Sequence, residues 1–72
     1  MAHPATDHVL SLFAYEHLPA DLGRVSRPFH DLAHSLADDL GDGPELTVAL
    51  RKLLESKDAA VRHAVLSRPV AE

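Results

Sequence analysis

From residue 46 to residue 65, apolar and polar side chains follow the period of an amphipathic helix. Leu46, Leu50, Leu53, Leu54, Val61, Ala64 and Val65 fall on one stripe. Lys57 stands on that stripe where the next apolar residue is due. A lysine there either lays its stem along apolar surface and reaches water, or meets an anion. A second periodic stretch covers 19–40, with Leu22, Val25, Phe29, Leu32, Leu36 and Leu40 in phase straight through Pro28. Interior proline costs ~3 kcal/mol and bends or stops a helix. The unbroken phase favours one kinked helix over a restart at Pro28. Gly41 and Gly43 end it, because glycine takes the positive φ common just past a helix C-terminus. Pro44 and Glu45 suit the first turn of the next helix.

Two helices of about 22 residues, each ~33 Å long and joined by so short a turn, fold back as an antiparallel αα-hairpin. Ahead of them, Val9, Leu10, Leu12, Phe13 and His17 allow a short helix over 8–18, with an extended arm as the competing reading. Residues 1–7 read as a flexible leader in which Thr6 or Asp7 caps that short helix. Residues 8–66 form a single helical-hairpin domain, and 67–72 fray. Val48, Ala49, Ala59 and Ala60 widen the apolar arc of the last helix beyond what one partner covers. The expected fold is all-α, a hairpin with a short N-terminal helix or arm, completed by oligomerisation.

Composition strengthens that picture. The chain has 72 residues, the size at which a single core barely offsets the entropy of ordering it. Without cysteine it has neither disulfides nor thiolate metal sites, which leaves helix packing and self-association to hold it. The net charge of −4 argues against DNA as a partner. Charge is uneven: 1–45 carry two basic against eight acidic side chains (−6), and 46–72 carry five against three (+2). A small anionic ligand suits that distribution better than a long polyanion. No apolar run approaches the ~20 residues that span a bilayer, and MAHPATDH lacks the pattern of a secretion signal. A cytoplasmic protein without a membrane partner is expected.

Catalytic motifs find no support, and no cofactor is implied. His30, His34 and Asp38 share a helix face at i, i+4, i+8, but with no further ligand in sequence they read as solvated side chains, not metal ligands. Arg27–Asp31, Arg51–Glu55 and Asp58–Arg62 are spaced as surface ion pairs. Arg24, Lys52 and Lys57 lack such partners, and of these Lys57 alone interrupts an apolar seam. Tyr15 is either a core-edge tyrosine or a ring that stacks on a nucleobase.

One combination of residues resembles a known family. Phe13-Ala14-Tyr15, a proline-containing linker, Leu32-Ala33 with Leu36, a glycine–proline turn, and Thr47 with Ala49, Leu50 and Leu53 are similar to the helical-hairpin domain of phage anti-CBASS cyclic-oligonucleotide sponges and of related anti-Thoeris sponges. The similarity covers residues 12–65. It implies a small all-helical phage protein in the cytoplasm of the infected bacterial host. Such a protein assembles as a homo-oligomer, a hexamer or other multimer of dimers, and sequesters cyclic di- or trinucleotide immune signals without cleaving them. Position by position it implies Tyr15, and less surely Phe13, against the bases, and Thr47 as the hydroxyl from the second helix. Arg24, Arg27, Arg51 and Lys57 are the candidates for the phosphates. A helical protein–protein interaction module, docking its surplus apolar face on a host protein, is the alternative.

Overall fold

The computed structural model describes residues 4–69. Three helices occur in order, α1 (Pro4–Ser11), α2 (Ala20–Leu40) and α3 (Pro44–Leu66), and no residue among those described is in a strand. α2 and α3 form the expected hairpin, and α1 packs against both. Gly41, at φ 71°, donates its N–H to the carbonyl of Ala37 and closes α2. Pro44 opens α3 at its first turn, where a missing N–H costs nothing.

The N-terminal segment is helical rather than an extended arm, but it begins four residues earlier than the spacing predicts. Pro4 starts α1 as Pro44 starts α3, so residues 4–7 belong to the fold and not to a leader. Thr6 and Val9 are buried on the inner side of α1, and Phe13 comes after them as the centre of the core. Residues 1–3 of the expected leader, and 70–72 of the expected frayed tail, lie outside the described residues.

α2 runs helical through Pro28, which is exposed. Pro28 brings no N–H to the carbonyl of Arg24, which therefore lacks its usual donor four residues on. The buried positions of α2 are Leu22, Gly23, Ser26 and Ala33, whereas Leu32 and Leu40 remain 48% and 65% exposed. Leu22 apart, the buried positions of α2 are thus small residues, while Phe29 and Leu36 of the predicted stripe are partly buried against the core. In α3, Leu46 and Leu50 are buried, and Leu53 and Leu54 pack against that core with Phe29 and Leu36.

The ion pairs also differ from those predicted. Arg27–Asp31 forms at 3.7 Å, but Glu55 meets Lys52 rather than Arg51, at 3.6 Å. Asp58 meets Lys57, at 3.0 Å, rather than Arg62. The Lys57 side chain is only 14% exposed, so its stem lies along apolar surface and its ammonium emerges beside Asp58. Both options for a lysine on the seam are realised, with the next residue as the anion.

Arg68, in the segment expected to fray, ties the far end of the hairpin. Its Nε and Nη2 donate to the two carboxylate oxygens of Asp21, at 2.8 and 3.0 Å. Those hydrogen bonds hold the Asp21 carboxyl below its ordinary value of 3.8. A lowered folded-state value gives a stabilisation that is present above the unfolded value and lost as pH falls through the folded one. Asp21→Asn should therefore remove part of the stability lost below about pH 4, flattening the acid limb of an unfolding titration followed by circular dichroism.

Candidate functional site

The connection between α1 and α2 places Tyr15. Successive turns carry the chain out of α1, with the N–H of Phe13 bonded to the carbonyl of Leu10 and that of Ala14 to Ser11. The N–H of Leu18 then returns to the carbonyl of Tyr15, at 3.1 Å. Pro19, extended at ψ 151°, accepts the N–H of Gly23 at 2.8 Å as α2 begins. Gly23 is the seat for Tyr15: a Cβ there would lie 3.5 Å from the Tyr15 carbonyl oxygen and 4.0 Å from Cδ2 of its ring. These are ordinary contacts, so Gly23→Ala should leave Tyr15 in place. It should raise stability by about 0.5–1 kcal/mol through helix propensity, read as a higher Tm.

Tyr15 lies on an open cleft of about 690 Å³ that Glu16, Leu18, Gly23, Arg24, Arg27 and Pro28 also line. Asp31 closes the same cleft. Three of the seven residues singled out in sequence, Tyr15, Arg24 and Arg27, thus come together. Arg24 carries no carboxylate partner among the described residues. Arg27 holds Asp31 at 3.7 Å with both side chains largely exposed, a pair of little strength. Glu16 accepts the N–H of Tyr15 at 3.3 Å. Its own backbone N–H and that of Tyr15 hold its carboxyl below the usual carboxylate range.

The other four residues lie elsewhere. Phe13 is completely buried, so the reading of its ring as a ligand contact gives way to a core role. Thr47 lines a smaller hollow with Thr6 and Pro44. Lys57 lines another with Leu12, His17 and Arg62. Arg51 is exposed on α3 and lines neither hollow nor the cleft. Neither hollow includes Tyr15.

Behind Tyr15 stands a pair of histidines. The His30 ring meets Tyr15 edge-on, with centroids 5.0 Å apart and planes at 76°. His34 lies against His30 at 4.2 Å. Nδ1 of His34 is 2.9 Å from the carbonyl of His30, so it donates there. Nδ1 of His30 is 3.0 Å from Asp31 Oδ1. Among the described residues, no group of His, Cys, Asp and Glu side chains is placed to hold a metal ion. His30 matters instead as the support of Tyr15 and as a partner of Asp31. Its i, i+4 spacing to His34 was visible in sequence, but its contact with Tyr15 depends on the 12–19 connection, which no periodicity specifies.

The cleft combines an aromatic ring, two guanidinium groups and two carboxylates. Such a ring offers a stacking face, and guanidinium groups are donors that suit an anion. No helix among the described residues is long and apolar enough to cross a membrane. Compared with known protein families, with curated proteins and with solved structures, the chain finds no match.

Proposed function

We propose that the chain binds a cyclic di- or trinucleotide at the Tyr15–Arg24–Arg27 cleft and sequesters it uncleaved, as a phage anti-defence protein acting in the cytoplasm of its bacterial host. The observation that carries this reading is the meeting of Tyr15, Arg24 and Arg27 on one cleft, the residue types that the sponge resemblance assigns to base and phosphate. Stacking of a base on an aromatic ring contributes about 1–3 kcal/mol, and the arginine fork matches phosphodiester oxygens. The cleft volume, about 690 Å³, is that of a small-molecule site. Capture rather than hydrolysis is supported by the engagement of both nearby carboxylates, Glu16 with the Tyr15 backbone and Asp31 with Arg27 and His30.

Assembly belongs to the same proposal. Ala33 points into the core, and at 3.6 residues per turn Leu32 and Leu36 lie on the opposite flank of α2 from His30 and His34. The flank with His30 and His34 borders α1, while Leu32 on the other is 48% exposed, as is Val48 on α3. Packing between chains would cover these positions. The test is to incubate the protein with a panel of cyclic di- and trinucleotides, remove unbound material, heat-denature, and identify what is released, alongside native mass measurement. Intact ligand from a multimer is expected. Altered ligand would mean an enzyme, and a monomer or dimer that releases nothing would favour the helical interaction module.

A further inference from the structure

We infer that Asp31 couples anion capture by Arg27 to proton uptake at His30, so that the cleft binds its anionic ligand more tightly as the pH falls through the histidine range. This rests on the cleft being the anion site. Asp31 is shared: Oδ2 faces Arg27 Nε at 3.7 Å, and Oδ1 faces His30 Nδ1 at 3.0 Å. With His30 neutral, the two arginines lining the cleft are balanced by two carboxylates, Glu16 and Asp31. An anion that draws Arg27 away leaves the Asp31 charge facing it at close range. A proton on His30 offsets that charge through the contact already formed, and the cleft becomes net positive.

The charged and titratable groups around His30 come from α1, the connection after it, and α2. Glu16 stays ionised because two backbone N–H groups hold its carboxyl low. His34, with its ring centroid 4.2 Å away and its plane tilted by 37°, is the other histidine facing His30. Asp7 of α1 and Asp38 of α2 line the groove on the other side of His30 with Glu16. Tyr15 presents its ring, and among the described residues α3 lines neither groove. Histidine is the side chain whose ordinary titration makes such a coupling effective near neutrality.

The probe is inorganic sulfate, which stays a dianion throughout the titration, at matched ionic strength. Its binding is followed by the NMR shifts of the Arg24 and Arg27 side-chain N–H groups and the Tyr15 ring between about pH 5.5 and 8.5, the window in which histidine titrates. Wild-type affinity should rise about tenfold toward the acid end, the equivalent of one pKa unit between free and bound states. His30→Gln should abolish that rise. Asp31→Asn, an exposed change that leaves the fold intact, should bind more tightly at the alkaline end and lose at least half of the pH dependence. Sulfate binding that is independent of pH, or a pH dependence that survives both substitutions, would overturn the coupling and leave the cleft reading standing. If neither sulfate nor any cyclic nucleotide perturbs Arg24, Arg27 and Tyr15, both fail together.

Discussion

Phe13→Ala is expected to destabilise the chain by about 3–5 kcal/mol, the cost of emptying a fully buried aromatic position. Phe13 has no exposed surface, and its ring closes the core against Val9, Ala33, Leu46 and Leu50. A chain of this length holds roughly 4–11 kcal/mol of folding stability in all, so one truncation removes about a quarter or more of it. Urea unfolding followed by circular dichroism reads the effect directly. A loss below about 1 kcal/mol, out of line with buried aromatic truncations, would mean that Phe13 is not the core of the fold.

Tyr15→Ala is expected to do the reverse. Tyr15 is half-buried, resting on Gly23 and against the edge of His30, and such an edge contact contributes about 0.5–1.5 kcal/mol. The fold should survive with a modestly lower Tm. Affinity for a cyclic nucleotide should fall by a factor of about 5–150, the equivalent of the 1–3 kcal/mol supplied by a stacked base. Isothermal titration of both proteins measures it. If Tyr15→Ala unfolds the chain, or keeps full affinity, the ring is structural and the cleft takes its ligand by other groups.

The contrast between these two aromatic residues shows how far the sequence could be read. They are two positions apart, and the sequence offers both as stacking rings, Tyr15 ahead of Phe13. Which faces in is decided by the turns after α1, where the N–H of Phe13 returns to Leu10 and Tyr15 is carried past the end of the helix. Hairpin topology was legible because it rests on local signals: two long periodic stretches, a glycine turn, and prolines suited to first turns. The buried set of α2 was not. Leu32 and Leu40 obey the period as well as Leu22 does, yet they stay exposed while Gly23, Ser26 and Ala33 are buried; at Gly23 the neighbour is Tyr15, in a connection that periodicity does not describe.

The basic residues obey the same logic. Lys57 broke the pattern and drew attention, and the structure answers it locally through Asp58. Arg24 and Arg27 broke nothing, since both lie on the polar side of α2. Their importance comes from Tyr15 and Asp31 beside them, which is a property of tertiary placement. The Arg68–Asp21 clasp joins positions 47 residues apart and had no local signature at all.

The central claim, that Tyr15, Arg24 and Arg27 form one ligand site, is tested most directly at Tyr15 itself, the single tyrosine of the chain. Its ring protons give one set of NMR signals to monitor while a cyclic dinucleotide or trinucleotide is added. The account predicts a saturable upfield shift of those signals, as a base stacks on the ring, with the Nε–H resonances of Arg24 and Arg27 moving at the same ligand concentration. A ligand that binds stoichiometrically while the Tyr15 signals stay unmoved would contradict it.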